Sequence, residues 1–271
     1  MELKYCISET KDIKSFLKEN YYSLEVIHHL FNNLELIKIN DKPASYPFIL
    51  NNSDILSIKL PDEKSNQKSE EAIINIVYED EFILIVNKPK DLATISTSAH
   101  YHHNLGSQVL YYFEQNDIKS KVHFINRLDK ETQGLVLIAK HQYIHNLFAK
   151  TVNIKKKYKC LVNNIPNKKE GYINLPIGKL EGQIKRFIDF DNGKDSLTEY
   201  RIIDKIENNT LLDITLHSGR THQIRLHLAS IGCPLVGDPL YNDNKNGEFF
   251  LQSYYLEFVH PITKKLLKIE I

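Results

Sequence analysis

The spacing of apolar residues predicts two short helices followed by strands at the start of the chain. Apolar side chains recur at helical intervals over residues 12–19 and 23–33, and Asp12 and Ser23 precede these stretches in positions suited to helix N-caps. Alternation of apolar and polar residues predicts strands over 34–39 and 54–60. Helix, helix, strand, loop and strand thus follow one another in a first unit at the start of the chain.

A polar segment separates this unit from the rest of the chain. Residues 61–71 begin with a proline, are polar and have no apolar anchor, which is typical of a linker between domains. We therefore expect a first domain over 1–62, a linker over 63–72 and a larger domain over 73–271.

The larger domain is predicted to contain more strands than helices. Periodicity favours helices near 106–115 and 141–151, and a third that begins near Arg220 and turns Ile224, Leu228 and Ile231 toward the core. Strands are predicted over 73–78, 82–87, 135–139, 158–162, 198–203, 211–216, 254–259 and 265–270. Because helices and strands do not alternate regularly, we expect an α+β fold with a mixed, mostly antiparallel sheet.

Composition excludes several classes of protein. The chain has 271 residues, of which 42% are hydrophobic and 10% aromatic, enough for a sizeable core. Its apolar runs are too short for a membrane span, and no apolar stretch follows the first charged residues, so we expect a cytoplasmic protein without membrane contact. Cys6, Cys160 and Cys233 are far apart and form no CxxC pair, which predicts buried packing residues rather than a disulfide or zinc site.

Charge is distributed unevenly along the chain. The totals of 35 Lys+Arg and 34 Asp+Glu give a net charge of +1, which by itself argues against a polyanionic partner. Residues 119–186, however, hold 15 Lys+Arg and only 4 Asp+Glu. This asymmetry is typical of a nucleic-acid-binding surface. The alternatives are a solvated lysine-rich face and a surface for an acidic protein partner.

Two polar clusters contain candidate catalytic residues. Residues 126–134 (NRLDKETQG) place Asp129 in a loop before an apolar strand, a suitable position for a nucleophile or an acid-base group. In residues 218–227 (SGRTHQIRLH), helical spacing directs Arg225 inward, where an arginine needs a carboxylate. The structural alternative is a local ion-pair set in a turn for the first cluster and the solvated side of a helix for the second.

Three histidines in one polar loop suggest a metal site. His100, His102 and His103 have no carboxylate or cysteine close to them in the sequence. A solvated loop is the favoured interpretation, and we predict no metal.

Several sequence blocks resemble the RluA family of pseudouridine synthases. The stretch 126–140 (NRLDKETQGLVLIAK) resembles the central motif of that family. Asn126 and Gln133 depart from the family pattern, which has His and Ser or Thr at these positions, whereas Arg-Leu-Asp and Gly134 are kept. Four more blocks follow the family order: 77–89 (VYEDEFILIVNKP), 156–162 (KKYKCLV), 218–238 (including GRTHQIRLHLASIGCPLVGD) and 251–261 (LQSYYLEFVHP).

The resemblance implies an isomerase that converts uridine within RNA to pseudouridine and needs no cofactor. The N1–C1′ bond is broken, the base rotates, and it is rejoined through C5. The resemblance assigns the nucleophile to Asp129 and base stacking or proton transfer to Tyr158. It makes Arg225 the ion-pair partner of Asp129, with the bidentate guanidinium fork fixing the direction of the carboxylate. It also implies substrate contacts, with Arg127 filling the space of the flipped base, Leu256 packing beneath the uracil, and further contacts from Leu128, Lys156, Arg220, His222 and Gln223. Lys155, Lys157 and Lys159 are expected to contact phosphates as well.

The first 62 residues resemble an S4-like RNA-binding module. Ser23-Leu24 stands where Ser-Arg is usual, and this segment carries 7 Lys against 9 Asp+Glu, so we expect it to bind RNA weakly or only to orient it. The architecture implies a monomer that modifies ribosomal RNA, with the large-subunit 23S species as the expected substrate and transfer RNA as the alternative. A non-catalytic RNA-binding protein with the same fold is the competing interpretation, against which the retained Asp129, Tyr158 and Arg225 argue.

Overall fold

The first 60 residues fold around a small four-stranded sheet. The structure is a computed structural model that describes residues 1–96, 103–244 and 246–271. The helices α1 and α2 begin at the predicted caps, since the side chains of Asp12 and Ser23 accept hydrogen bonds from backbone N–H groups of the first turns. The elements are β1 (Glu2–Cys6), β2 (Lys11–Asp12), α1 (Ile13–Glu19), α2 (Leu24–Asn32), β3 (Ile37–Ile39), β4 (Lys42–Pro43), β5 (Ile49–Leu50) and β6 (Ile55–Lys59), with the sheet order β1–β6–β3–β4.

The rest of the chain is built on one large sheet. Its main strand order is β12–β15–β16–β11–β17–β10–β8–β7, with β18 paired to β17 and β9 to β10. The elements are β7 (Ile76–Glu79), β8 (Ile83–Lys88), α3 (Leu105–Gln115), β9 (His123–Phe124), β10 (Gln133–Ala139), α4 (Gln142–Thr151), β11 (Lys155–Asn163), β12 (Glu170–Asn174), β13 (Ile177–Lys179), β14 (Arg186–Ile188), β15 (Leu197–Ile206), β16 (Asn209–Leu216), α5 (Gln223–Ser230), β17 (Leu251–Val259) and β18 (Leu266–Glu270). Only β10 and β17 pair in parallel among the described strands. The predicted α+β class with a mixed, mostly antiparallel sheet is confirmed.

The central strands of this sheet are buried on both faces. On one face, Leu84 and Val136 pack with residues of α3 and α5. On the other, Ile85 and Leu137 belong to a core that includes α4 and the N-terminal unit. Burial on both faces explains why β8 and β10 read as continuous apolar runs. The polar residues 126–134, which lead into β10, therefore lie at the edge of this buried sheet.

The predicted linker is an extended segment fixed along the larger domain. Residues 60–75 contain no helix or strand. Glu63 and Glu70 donate backbone hydrogen bonds to the carbonyl groups of Lys119 and Ser107, and the carbonyl group of Pro61 contacts Nε2 of His141 at 3.0 Å. Hydrogen bonds of its backbone therefore hold the predicted linker in place along the larger domain.

Three local expectations differ from the structure. The strand expected from Ile73 begins at Ile76, and Ile73 is fully exposed. The helix α5 ends at Ser230, because Gly232 adopts a positive φ of 75°, so Ile231 is partly exposed and does not face the core. Cys160 and Cys233 are buried as expected, but Cys6 is exposed. Among the described residues, no helix is both long and apolar enough to cross a membrane.

Candidate active site

A cavity of about 560 Å³ opens between the loop before β10, strand β11 and the start of α5. Its size is typical of a site for a small molecule or a single nucleotide. Nine of the ten residues predicted to act in catalysis or substrate binding line it, and Leu256 does not. The nine are Arg127, Leu128, Asp129, Lys156, Tyr158, Arg220, His222, Gln223 and Arg225.

The loop that carries Asp129 is fixed by its backbone. The hydroxyl group of Thr94 donates to the carbonyl group of Leu128 at 2.6 Å and accepts from the N–H group of the same residue at 3.2 Å. The N–H group of Thr132 donates to the carbonyl group of Asp129 and closes a turn. The side chain of Asp129 is 25% exposed and faces the cavity. The turn therefore presents this carboxylate from a rigid backbone.

Asn126 and Gly134 attach the same loop to the sheet. The amide group of Asn126 donates to the carbonyl group of Leu135 and accepts from the N–H group of Leu137, at 3.1 and 2.7 Å. Gly134 has a φ of 113°, and a Cβ atom there would lie 2.2 Å from the backbone oxygen of Ser253 in β17. Asn126, which replaces the usual histidine of the family motif, thus has a local role in holding the loop against β10.

Lys88 is a buried lysine that sequence analysis did not place in the site. Its ammonium group donates to the carbonyl groups of Pro89, Leu92 and Lys130, at 2.9, 2.6 and 3.1 Å. Burial lowers the pKa of Lys88 to about 8, although the charges of Asp129 and two other carboxylates oppose this effect. Its three N–H donors join the end of β8 to the turn that presents Asp129. Two sequence signals point to Lys88, its position at the end of an apolar strand and its place in the block 77–89.

Arg225 lies beneath the loop and is almost fully buried. Its Nε and Nη2 atoms donate to the two carboxylate oxygens of Asp238, each at 2.8 Å. Its remaining nitrogen, Nη1, lies 3.6 Å from Oδ2 of Asp129 and 3.4 Å from Oε2 of Glu131. The expectation that the guanidinium fork binds Asp129 is therefore wrong in detail. The fork holds Asp238, and Asp129 faces the one nitrogen that is left.

Asp238 stays ionised in a buried position because of its donors. Burial raises the pKa of this carboxyl group, but the hydrogen bonds from Arg225 and from the N–H groups of Leu240 and Tyr241 outweigh burial and leave the pKa below its ordinary value. The ion pair is neutral overall, but it fixes the guanidinium group so that Nη1 faces Asp129. Asp238 lies within the block 218–238, but nothing in the pattern of that block distinguishes it.

Strand β11 divides the lysine-rich segment between two faces of the sheet. Lys156 and Tyr158 line the cavity. Lys157 instead lies 3.6 Å from Asp213, and Lys159 stacks 4.2 Å from the centre of the Tyr254 ring. Alternation along a strand directs neighbouring side chains to opposite faces. The expected phosphate contacts of Lys157 and Lys159 do not fit this placement.

Tyr158 forms part of the apolar wall of the cavity. It is buried, and burial raises its pKa to about 12, with a further contribution from the negative charge of Asp129. Its hydroxyl group is therefore protonated at neutral pH. Burial also lowers the pKa of Lys156, which lines the cavity beside it.

Leu256 does not lie beneath the cavity. It is fully buried in the core on the opposite face of the sheet. The pairing between β11 and β17 shifts register between Lys157 and Tyr158, which changes the residues of β17 that share a face with Tyr158. Leu251 lines the cavity instead. The sequence of the block 251–261 contains no pattern from which this register shift could be predicted.

Gln223 holds the loop before α5 and has no hydrogen-bonding capacity left for a substrate. Its Nε2 donates to the carbonyl group of Leu197 and the hydroxyl group of Thr198, both at 3.0 Å. Its Oε1 accepts from the hydroxyl group of Ser218 and the N–H group of Arg220, at 2.9 and 3.0 Å. A carboxamide has two donors and two acceptor sites, so all four are used. The predicted substrate contact of Gln223 therefore does not fit, and its role is to position the loop.

The two remaining residues of this block, Arg220 and His222, face the cavity. The side chain of Arg220 contacts the carbonyl group of Asp195 at 3.3 Å. His222 adopts a left-handed backbone conformation with a φ of 57°, and its Nε2 lies 3.9 Å from Oδ2 of Asp129. Burial lowers its pKa, so the imidazole ring is neutral at pH 7.

The histidine loop is described only in part. His100 and His102 lie outside the described residues. His103 bonds to Glu70 through its backbone N–H group and through Nδ1, at 2.7 and 2.6 Å. Within the residues that the structure describes, no group of three or more metal-binding side chains comes together.

Sequence comparison finds relatives for most of the chain. The family described as RNA pseudouridylate synthase matches residues 82–230, which include Asp129, Tyr158 and Arg225. An RNA pseudouridine synthase of Aquifex aeolicus is 35% identical over 80% of this chain and 74% of its own length. Ribosomal large subunit pseudouridine synthase D of Nitrosomonas europaea is 32% identical over 76% of this chain and 64% of its own length. The RNA pseudouridine synthase YhcT of Bacillus subtilis is 29% identical over 99% of this chain and 92% of its own length.

Solved structures share the fold. Human RNA Pseudouridylate Synthase Domain Containing 1 matches with a TM-score of 0.60 and 22% identity, over 73% of this chain and 83% of its own. Human RNA Pseudouridylate Synthase Domain Containing 4 matches with a TM-score of 0.59 and 19% identity, over 73% of this chain and 87% of its own.

Proposed function

The chain belongs to the RNA pseudouridylate synthase family and is an isomerase that acts on RNA, and we propose that Asp129 is its nucleophile and ribosomal RNA its substrate. The observation that carries the proposal is the charge of the cavity wall. Among the residues that the structure describes, five lysine or arginine residues line the cavity together with one carboxylate, Asp129. A polyanionic substrate requires such cations, and covalent catalysis requires one ionised nucleophile among them.

Asp129 is proposed to attack the uridine at C6 of the base or at C1′ of the ribose. If C1′ is attacked, the bond between Asp129 and C1′ forms as the N1–C1′ bond breaks, and the rotated base then displaces Asp129 by forming the C5–C1′ bond. If C6 is attacked, the N1–C1′ bond breaks in the adduct, the C5–C1′ bond forms after rotation, and the bond between Asp129 and C6 then breaks by elimination. In both cases the proton on C5 is released to water, N1 gains a proton, and the carboxylate of Asp129 is regenerated. The product is an isomer of the substrate, so the reaction balances without an oxidant or a reductant. Nη1 of Arg225 lies 3.6 Å from Oδ2 and places a positive charge beside the attacking carboxylate.

Tyr158 is proposed to stack against the uracil and to act as a donor. The tyrosine ring lines the cavity beside Leu251, which supplies an apolar contact for the base. Because its pKa is about 12, its hydroxyl group holds a proton at neutral pH. It can therefore donate a hydrogen bond or a proton to the base but is a poor proton acceptor at the start of the reaction.

The target nucleotide has to leave its stack to reach Asp129, at a cost of a few kcal/mol. Arg127 precedes the nucleophile by two positions and is exposed at the mouth of the cavity, where it is suited to occupy the vacated space. Lys130, Lys156 and Arg220 line the same cavity and are proposed to contact phosphates. Such contacts hold the RNA in position without reading its sequence.

Ribosomal RNA is the proposed substrate because relatives at 28–34% identity carry the name Ribosomal large subunit pseudouridine synthase D. Transfer RNA is the second candidate. The N-terminal unit is proposed to orient the RNA rather than to bind it tightly, since residues 1–62 carry 7 Lys against 9 Asp+Glu.

Mapping of pseudouridines separates these candidates. Total RNA from cells with and without the gene is compared by chemical mapping, and the purified protein is then supplied with unmodified 23S ribosomal RNA and with unmodified transfer RNA. The proposal expects a position in 23S ribosomal RNA that loses its modification without the gene and regains it in vitro. A gene-dependent position in transfer RNA alone would overturn the substrate, and the absence of any gene-dependent position would favour a non-catalytic RNA-binding protein.

A further inference from the structure

A chain of three contacts joins the β13–β14 hairpin to the nucleophile. The backbone N–H group of Arg186 in β14 donates to the hydroxyl oxygen of Tyr241 at 2.7 Å. That hydroxyl group lies 3.0 Å from Nδ1 of His222. Nε2 of the same imidazole ring points toward Oδ2 of Asp129 at 3.9 Å. Both rings are partly or fully shielded from solvent and meet edge to face, with their centres 5.7 Å apart.

Two observations favour the tautomer of His222 that carries its hydrogen on Nε2. A backbone N–H group can only donate, so the Tyr241 oxygen accepts from Arg186 and its own hydrogen is available for Nδ1. In a neutral ring that accepts at Nδ1, the hydrogen is on Nε2. The opposite tautomer would direct the lone pair of Nε2 at the carboxylate of Asp129, which is electrostatically unfavourable. His222 therefore presents an N–H donor to the nucleophile.

Both donors that face Asp129 approach the same oxygen. Nη1 of Arg225 and Nε2 of His222 lie 3.6 and 3.9 Å from Oδ2. Oδ1 is not the near atom in either contact. Catalytic hydrogen bonds are often long in a free enzyme and shorten when the substrate is bound. A small closing movement would thus hold Oδ2 between two donors and leave Oδ1 directed into the cavity.

We propose that His222, fixed by Tyr241 as the Nε2–H tautomer, is a positioning residue that holds Oδ2 of Asp129 so that Oδ1 attacks the nucleotide. This inference rests on the proposed role of Asp129 as nucleophile. A neutral donor suits the task, because a second full cation beside Asp129 would stabilise the carboxylate further and weaken it as a nucleophile. Tyr241, by bonding to the hairpin and to His222 together, sets the angle of the imidazole ring.

The charged groups around His222 allow the pH dependence of turnover to be predicted. The ring is faced by Asp129 and Glu131, whose charges favour its protonated form, and by Arg225 and Arg186, whose charges oppose it. Burial is the larger influence and lowers the pKa, so protonation occurs below the ordinary value of 6.5. A protonated ring carries a hydrogen on Nδ1 and loses the hydrogen bond that it accepts from Tyr241. Turnover is therefore expected to fall as the pH decreases through this pKa.

Two substitutions at position 222 test whether His222 acts as a hydrogen-bond donor or only fills space. Glutamine can place an amide N–H group near the position of Nε2, whereas asparagine tolerates the left-handed backbone but is too short to reach Asp129. We expect His222→Asn to lower kcat about 30-fold with little change in KM, and His222→Gln to recover most of that loss. His222→Gln is also expected to lose the acidic limb that the histidine contributes to the pH profile of kcat. Tyr241→Phe is expected to lower kcat about tenfold and to shift that limb.

Nitrogen NMR of the imidazole ring tests the geometry independently of turnover. The Nε2–H tautomer at pH 7.5, lost or mixed in Tyr241→Phe, would support the proposal. A neutral Nδ1–H tautomer or an imidazolium ring in the native protein would overturn it, as would a kcat for His222→Asn equal to that of the native protein. If the native protein releases no C5 proton from any RNA, the proposed function fails, whereas the NMR result still decides the arrangement of His222.

Discussion

Arg225 and Asp238 form a buried, bidentate ion pair directly beneath the loop that carries Asp129. Nε and Nη2 of the arginine each lie 2.8 Å from one carboxylate oxygen, and the two side chains are 1% and 0% exposed. The guanidinium group also lies against the rings of Tyr241 and Phe249, 5.6 and 5.5 Å from their centres. These contacts fix the orientation of the guanidinium group and therefore the nitrogen that faces Asp129.

The first prediction concerns this pair. Asp238→Asn removes one charge and one acceptor, and leaves the buried guanidinium group without its partner. We expect the free energy of unfolding to fall by about 3–5 kcal/mol. Glu131→Gln is the control, because Glu131 contacts the same arginine from a partly exposed position at 3.4 Å, and its loss is expected to cost less than about 1 kcal/mol. If urea unfolding shows that Asp238→Asn and Glu131→Gln lower the free energy of unfolding equally, Asp238 is not the main partner of Arg225.

The second prediction uses the alternation of β11. Lys156 lines the cavity, whereas Lys157 pairs with Asp213 on the other face. Lys156→Ala is expected to weaken RNA binding several-fold and to reduce the salt dependence of affinity by about one phosphate contact. Lys157→Ala is the matched control and is expected to leave both quantities unchanged. Binding titrations at several salt concentrations measure them, and an equal effect of the two substitutions would contradict the assignment.

The third prediction concerns Gln223. Gln223→Glu keeps the size of the side chain but replaces its two N–H donors, so the carbonyl group of Leu197 loses its donor and faces a charge. We expect a loss of about 2–3 kcal/mol in the free energy of unfolding and a lower kcat, because the loop with Arg220 moves. The same change at the exposed Gln115 at the end of α3 is expected to cost no more than about 0.5 kcal/mol. An unaltered stability in thermal unfolding of Gln223→Glu would show that its four hydrogen bonds are not needed.

The fourth prediction concerns the pH dependence of stability. Burial raises the pKa of Glu63, but hydrogen bonds and charge from His123, with further donors, outweigh it and bring the pKa to about 2. Since this value is below the ordinary 4.5, the ionised group contributes stability above pH 4.5 that is lost as the pH falls toward 2. Glu63→Gln is expected to cost about 2 kcal/mol at pH 7 and to flatten this part of the stability curve.

The exposed Glu71 of the same segment supplies the control for Glu63. Glu71→Gln is expected to leave both the stability at pH 7 and its dependence on acid unchanged, because Glu71 is exposed. Urea unfolding measured from pH 7 to pH 3 gives the comparison. If Glu63→Gln and the native protein lose stability in parallel, Glu63 is not the group that titrates with unfolding.

The sequence predicts the fold well where the signal is local. Asp12 and Ser23 mark the helix starts because capping depends on a few adjacent residues. Strand β1 escapes prediction because its partner β6 lies at the other end of the N-terminal unit. The β13–β14 hairpin escapes for a different reason, since its strands are only three residues long and leave little periodicity to detect.

The roles of the site residues are predicted less accurately than the fold, because their partners are distant along the chain. Blocks that resemble the family indicate which residues gather around the cavity, and nine of ten do so. They do not show how each side chain is used. Leu256 is misplaced because of a register shift, Gln223 because its hydrogen-bonding groups are used within the protein, and the fork of Arg225 because Asp238 competes for it. Each of these three differences depends on a partner residue that the local sequence pattern does not identify.

The measurement that tests the account most directly is the release of tritium from RNA labelled at C5 of uracil, by the native protein, by Asp129→Asn and by Glu131→Gln. The two substitutions each remove one negative charge near Arg225, and only the first removes the proposed nucleophile. We expect no detectable release by Asp129→Asn and release within about tenfold of the native rate by Glu131→Gln. Release by Asp129→Asn at the native rate would contradict the assignment of Asp129.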